Sequence, residues 1–539
     1  MRIEIPPIPA ADRTPLVESL LEILDLQQQR LQQLEETVQQ LRDEIALLKG
    51  QNPRPTIAPS RLEAPPPPPR TPGGQRPGSA KRPKNAELAI AEEHFLDVPD
   101  PPPGSACKGY EPFVVQDLEI KARATRYWRQ RLRTPDGRTL LAPLPGGLRP
   151  GCHFGPGLIA YLLHQHHHCG VTQPLLLEQL RELGIDISAG QVHRLLTESV
   201  EAFHAEKAEL LPMGLRVSSY IGADDTAARH QGRNGYCTAI GNDLFASFES
   251  TDSKSRINFL KVLRGTSPTY VINAAAQAYW EHQGLSQESR QQLGAGPSFF
   301  ADEASWQARL RELGLEAERP VRIATEGALL GGLIEHGVAP GLVVLSDGAG
   351  QFDVLVHASC WVHAERPLAR LVPYGEAHRQ AIELVRSQVW ELYQDLKLYQ
   401  QRPDRGGAEA LRYRFDFLVG QQTGFPSVNQ VLREMRAHRA DLLRVLERPE
   451  VPLHNNGMER DIREYVKKRK VSGGTRSAAG RRCRDTFTSL KKTCRKLGVS
   501  FWSYLQDRLR GLGKVPRLSE LIGQRAAEKS AGPAEAVFA

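Results

Sequence analysis

The sequence predicts an α/β fold, and three observations carry that prediction. Short β-type runs separated by Gly or Asn-Asp turns occupy Val217–Asp224, Gly235–Ile240 and Leu244–Glu249. A helical stretch, Lys254–Leu263, comes next, and after a long gap Leu342–Ser346 reads as a buried apolar strand. Most of 361–448 is helical by periodicity. Three consecutive strands, a helix and then another strand is the order of a ribonuclease-H-like α/β core.

At 539 residues the chain is too long for one compact domain, and roughly three or four units are expected. With 40% hydrophobic and 24% charged residues, most of it can bury a core. No run of about 18 apolar residues exists, which excludes a membrane-spanning helix, and the start MRIEIPPIPAADRTP lacks the charged head and apolar stretch of a secretory signal. The seven cysteines are scattered and contain no C-x-x-C pair, a pattern that fits a reducing, cytoplasmic setting.

From the N-terminus, residues 1–50 are expected to form a coiled coil. Val17, Leu24, Leu31, Val38 and Ile45 fall at position a, with Leu20, Gln27, Leu34, Leu41 and Leu48 at d. Nine of these ten seam positions are apolar, which predicts a homodimer or higher oligomer. Residues 51–105 hold 15 of the 39 prolines with Arg54, Arg61, Arg70, Arg76, Lys81, Arg82 and Lys84 among them, so they read as an extended basic tether. Residues 106–150 read as a small β-rich segment, with strands in PFVVQDLEIKA and a hairpin turn at Thr134-Pro135-Asp136-Gly137. Residues 151–212 read as helical: Leu158–Cys169, Leu175–Leu183 and Ala189–Ala202, with Ser188 as N-cap after a glycine turn. That is a helix-turn-helix pattern offering Gln191, His193, Arg194 and Thr197 to a DNA groove. The run His164-Gln165-His166-His167-His168-Cys169 reads as a solvated helix end, because adjacent helical residues diverge and cannot share one ion.

The informative acids end apolar strands. Asp224 and Asp225 close the strand in IGADDTAARHQG, Asp347 closes VVLSDGAGQF, and Glu459 lies in the first turn of a helix after Asn455-Asn456. A carboxylate at the end of a buried strand needs a cation or a cap. Hard oxygen ligands suit magnesium, with manganese as an alternative, and two such ions serve in-line phosphoryl displacement. For each acid taken singly, a turn or cap role competes with this reading.

The strings ADDT (223–226), LSDGAGQF (345–352), CWVHAERPL (360–368), NNGMER (455–460) and SFWSYL (500–505) resemble, in order, the marks of DDE transposases of the insertion sequence 66 family. The likeness runs from about residue 10 to 510 and includes the coiled coil with its linker. It implies that Asp224, Asp347 and Glu459 are the metal-binding catalytic trio, with Asp225 in support. Asn456 and Arg460 match helix-start residues that position the glutamate, and His363 and Arg366 match residues flanking the second aspartate. Two departures stand out. The zinc-binding segment of many relatives reads as lost, since only His94, Cys107, Cys152 and His153 occupy the matching stretch. And 123 residues separate Asp224 from Asp347, so 266–340 reads as a mostly helical insertion in a catalytic domain spanning 213–475. Asp302 and Glu303 within it do not end an apolar strand.

Charge completes the reading. Between Arg460 and Lys496 there are 14 Lys/Arg and three acids, a net of +11 that exceeds the +8 of the whole chain. A block of this size beside Glu459 points to the phosphates of double-stranded DNA, at element ends and target, through Arg463, Lys467, Lys468, Arg469, Lys470, Arg481 and Arg482. Gly473-Gly474 and Gly480 suggest a loop that approaches a backbone closely, and residues 476–539 form a basic C-terminal region with a tail. The expected function is metal-dependent cleavage and strand transfer, with accessory element-encoded proteins as further partners. Its rival is a catalytically decayed, dimeric DNA-binding relative whose acids only cap turns.

Overall fold

The computed structural model describes residues 89–148 and 150–530. The expected coiled coil, most of the linker and the last nine residues lie outside the described residues. The chain divides into two compact units, 1–118 and 119–539.

In the first unit, residues 89–118 form neither helix nor strand, and Phe95 meets Tyr110 edge-on at 5.1 Å. The strands expected within PFVVQDLEIKA do not form: Phe113, Val115, Leu118 and Ile120 are exposed and no ladder pairs with them among the described residues. Apolar alternation without a partner strand does not make a sheet.

The second unit opens with the hairpin β1 (Arg131–Arg133) and β2 (Thr139–Leu141) around the expected turn. Helix α1 (Pro156–His164) runs into a π-helical turn, Gln165–Cys169, followed by α2 (Gln173–Glu182) and α3 (Ala189–Thr197). Ser188 caps α3 reciprocally: Gln191 N–H donates to Ser188 Oγ and Ser188 N–H to Gln191 Oε1. The third helix ends at Thr197, short of the expected Ala202, because Ser199 adopts a left-handed φ of 57°. A further helix, α4 (Glu201–Val217), follows and buries Phe203, Leu210, Leu211 and Leu215. The strand expected from Val217 therefore begins at Tyr220.

Strands β3 (Tyr220–Ala227), β4 (Tyr236–Gly241) and β5 (Ala246–Thr251) come next, then α5 (Arg256–Arg264). The insertion is mostly helical, as expected, but carries a ladder of β6 (Tyr270–Val271) with β7 (Phe299–Phe300). Around it stand α6 (Ala274–His282), α7 (Gln287–Gly294), α8 (Glu303–Glu312) and α9 (Glu318–Glu335). Trp280 and Trp306 tie these together by donating to Ala324 O and Thr325 Oγ1, each at 3.0 Å. Asp302 caps α8 and Glu303 pairs with Lys261. Strands β8 (Val343–Ser346) and β9 (Val356–Ser359) return to the main sheet. Helices α10 (Trp361–Arg370), α11 (Glu376–Gln401), α12 (Arg405–Gly420), α13 (Pro426–Ala437) and α14 (Arg439–Leu442) fill the predicted helical region. Then come α15 (Asn456–Ser472), α16 (Ala478–Lys496), α17 (Phe501–Arg510) and α18 (Leu518–Ser530).

The main sheet is mixed, with order β5-β4-β3-β8-β9. β3, β4 and β5 are antiparallel neighbours, whereas β8 runs parallel to both β3 and β9. The parallel return from β5 to β8 requires a long crossover, which α5 and the insertion supply. Helix α16 closes the outer side of β5. Its residues 485, 489 and 493 share one face at four-residue spacing, and they meet every second residue of the strand. Ser250, Phe248 and Ala246 thus donate their backbone N–H groups to Asp485 Oδ2, Ser489 Oγ and Thr493 Oγ1 at 2.9, 2.9 and 3.2 Å.

Burial on α16 also consumes part of the basic block. Lys491 and Lys492 both pair with Glu464, and Lys492 and Lys496 pair with Asp461. Burial alone would raise the Glu464 carboxyl, but the two lysines draw it down to about 2. A depressed carboxylate stabilises the fold above its unfolded value near 4.3, and that stability is lost as pH falls toward 2. Glu464→Gln is therefore expected to cost about 3 kcal/mol near neutral pH. Urea unfolding of both forms should show that gap shrinking below about pH 4.5; a gap unchanged at pH 3 would contradict this account.

Candidate active site

The sheet register sets the first two acids. The ladder pairs Ile221 with Val344 and Gly222 with Leu345. The ladder ends there: β3 runs on through Asp224, whereas β8 stops at Ser346, so Asp347 stands in the turn one residue past its strand. Gly222 and Asp224 share one face of β3, since side chains alternate. On that face the start of α15 is seated so closely that a Cβ on Gly222 would stand 2.5 Å from Met458 Cγ and 2.6 Å from Asn455 Oδ1. Asn455 fixes the contact by donating its amide to Ala223 O at 2.8 Å, and its backbone N–H to Cys360 Sγ at 3.3 Å. Glu459 follows in the first turn, with His363 Nδ1 and Arg463 Nη2 each 3.6 Å from its carboxylate.

The electrostatics register this gathering. Burial pushes the Asp224 carboxyl up to about 7; the Asp225 backbone N–H opposes the shift, while the charges of Asp347, Glu459 and Asp225 add to it. His363 is held below its usual range by burial and by Arg366, with Glu459 and Asp347 pulling the other way. Asp347 is exposed, and its Oδ1 accepts from Ala349 N–H at 3.0 Å. The turn beneath it is braced by Ser346, fully buried, whose Oγ accepts from Gly348 N–H at 3.1 Å and contacts His357 Nε2 at 2.8 Å; His357 Nδ1 in turn faces Asp441 at 3.2 Å. This Ser–His–Asp chain has no access to substrate, and it acts as a strut. Asp225 is clamped by Lys254 and by Gln351, whose amide donates at 2.8 Å.

A second strut comes from the start of α5, backed by the insertion. Arg256 donates twice to Gly350 O, at 2.7 and 3.1 Å, and once to Tyr279 OH at 3.1 Å. Tyr279 donates to Glu326 at 2.8 Å, and Glu326 is only 2% exposed. The insertion thereby braces the loop that carries Asp347. Sequence reasoning missed Lys254, Arg256, Gln351, Asn455 and Glu326. Gln351 and Asn455 lie inside or beside the strings that singled out the acids, which was the available signal.

The family model described as Transposase IS66 family matches residues 340–482, a span that contains Asp347, His363, Arg366, Asn456, Glu459 and Arg460. The uncharacterized protein y4jO of Sinorhizobium fredii (strain NBRC 101917 / NGR234) is 40% identical over 321 residues, which is 59% of this chain and all of that protein. The chain belongs to the IS66 transposase family. Membership gives transposition as its class of function and DNA as its class of partner. No helix among the described residues is long and apolar enough to cross a membrane.

IS66-family transposition calls for divalent metal, and the donors here suit a hard cation: carboxylates, one of whose oxygens, Glu459 Oε1, is buried with no hydrogen-bond partner. Among the described residues no three His, Cys, Asp or Glu side chains are already set to hold an ion. Asp347 accepts from Ala349 N–H, and Glu459 faces His363.

The remaining residues expected in this IS66 chain to touch DNA differ in exposure. Of the 14 basic side chains in 460–496, seven are exposed: Arg460, Arg463, Lys467, Lys470, Arg476, Arg482 and Arg495. Arg484, Lys491 and Lys492 are buried, so the block is only partly a surface. Arg469 donates to Ala227 O, Arg481 pairs with Asp252 and Arg482 with Glu201. Arg194 is exposed, whereas Gln191 spends its side-chain oxygen in the cap of α3. Gly474 answers to the protein's own backbone: an added Cβ would lie 2.5 Å from Arg229 O, beside the pairing of Thr475 with Arg229 and Gln231. Tyr465 and Phe487 are core residues. The histidine run is only partly a solvated end: His168 and Cys169 are exposed, but His167 is buried against Phe487 at 4.2 Å, and burial pulls His166 down to about 4.

Proposed function

We propose that the chain is a DDE-type transposase with a ribonuclease-H-like core, which cleaves the ends of an insertion sequence and joins them to target DNA. Asp224, Asp347 and Glu459 would hold magnesium, or manganese, in two-ion form. The observation that carries this reading is that β8, which ends one residue before Asp347, runs parallel beside β3, which carries Asp224, while Glu459 lies in the first turn of a helix seated on Gly222. When bound, the cations supply Lewis-acid activation of the attacking oxygen and charge neutralisation at the leaving oxygen. Asp225, clamped by Lys254 and Gln351, supports β3 beside Asp224, and His363 with Arg463 orients the glutamate. Exposed basic residues along α15, together with Arg194 on α3, would grip the phosphates, and the N-terminal heptads would pair two or more copies.

Magnesium-dependent strand transfer by wild type and by Asp347→Asn tests this. The variant should lose transfer while it still binds duplex DNA; equal transfer by both would remove the mechanism. A second reading, a non-catalytic DNA-binding relative, draws on the absence among the described residues of three acids set to hold an ion. It predicts duplex binding that survives substitution of all three acids, with no transfer by wild type in magnesium or manganese.

A further inference from the structure

Two cations near the catalytic helix lack the partners that their neighbours have. Lys491, Lys492 and Lys496 are each paired with an acid. Lys468 instead donates to His167 Nδ1 at 3.0 Å and His166 O at 3.4 Å. Arg484, 7% exposed, donates to Gly473 O and Ser472 Oγ. No ion pair joins either of them to a carboxylate among the described residues. Burial, then the charges of Arg484 and Lys491, draws the Lys468 ammonium far below its usual range. A cation held this way is costly unless an anion offsets it.

Both side chains line a cavity of about 620 Å³. Its opposite wall is apolar and polar by turns: Pro174 and Leu177 of α2 with Ala189, His193, Leu196 and Thr197 of α3. The first turn of α16, capped by Ser477, opens into it, and N–H groups at a helix start favour anions. A separate observation points to a ligand: His167, buried at 5% exposure on the cavity wall, has its Nε2 without a hydrogen-bond partner. The volume suits a small ligand and is far too small for a duplex.

We propose that this cleft takes one unstacked nucleotide, its phosphate on Lys468, Arg484 and the start of α16, and its base along the Leu177–Leu196 wall. The proposal rests on the reading of the chain as a DNA-processing enzyme. Lys468 lies nine residues beyond Glu459 on α15, about 13 Å along the axis. That is about four duplex steps from the reacting phosphate, measured along one strand. The nucleotide belongs to a strand whose end has left the double helix near the cleavage point.

The test uses the full chain in chelator, so that it does not depend on catalysis. Fluorescence anisotropy compares a blunt duplex with the same duplex carrying a short single-stranded extension. The wild type should prefer the extended DNA by about tenfold or more, which corresponds to one well-placed nucleotide contact. Lys468→Met and, independently, Ala189→Trp at an exposed helix position should shrink that preference to about twofold or less, with melting curves confirming that both fold. Millimolar deoxyadenosine monophosphate should erase that preference by taking the same cleft; a preference that persists in its presence would place the extension elsewhere and count against the proposal. A wild type without preference, or a preference that survives both variants, would overturn the proposal. Failure of magnesium-dependent transfer would instead count against the catalytic reading alone.

Discussion

Asp224→Asn is expected to melt several degrees above the wild type in chelator and to transfer no DNA strand. The Asp224 carboxyl is held up at about 7 by burial and by three neighbouring acids, so its charge opposes the fold when no cation is present. Converted to free energy, that elevation amounts to at most about 4 kcal/mol, and part of it returns on removing the charge. Adding magnesium should then raise the wild-type melting temperature and leave the variant nearly unmoved, because binding stabilises only the form that binds. Transfer should fall by about 1000-fold or more, the scale of losing several kcal/mol of charge stabilisation. Differential scanning fluorimetry with and without magnesium, beside a strand-transfer assay, reads both effects. A variant that melts below the wild type in chelator would show that the carboxylate serves the fold, as a turn cap does.

Gly222→Val gives the second large effect, through position instead of charge. The added side chain would enter space already taken by Met458 and Asn455, whose amide must reach Ala223 O. Something has to shift, and the movable element is the start of α15. A displacement of Glu459 by about 1 Å is enough to cost roughly 100-fold in rate. Overpacking of this kind also costs about 1–3 kcal/mol of stability. Strand transfer should drop about 100-fold or more while affinity for blunt duplex DNA stays within about twofold, since the exposed basic residues are untouched. Transfer at the wild-type level would mean that the helix does not need its seat on the strand.

Local signals made much of this architecture legible in the sequence. The three strand runs before Lys254, the helix after them and the apolar run at 342 all formed within a few residues of expectation, because turn residues and alternation are local properties. Asp347 does follow the end of its apolar strand, but Asp224 and Asp225 do not close theirs: β3 runs on to Ala227, because pairing with β4 carries the strand past the end of its apolar run. Other features depend on contacts that no local pattern records. Helix α4 was hidden by Val217 and its apolar neighbours, which suit a strand as well as a helix end. Residues 112–122 alternate like a strand but find no partner among the described residues. The basic block read as a single surface, yet Glu464 and Asp461 pair with three of its lysines and two of these, Lys491 and Lys492, are buried. Arg256 and Glu326 were invisible because their importance arises from a loop about 90 and 20 residues away along the chain.

The helix laid along β5 has a consequence for how copies can assemble. With the outward amides of Ala246, Phe248 and Ser250 already engaged by Thr493, Ser489 and Asp485, that strand offers no template for a neighbour's backbone. Growth by strand addition, the route to fibres and runaway polymers, is closed at this border of the sheet.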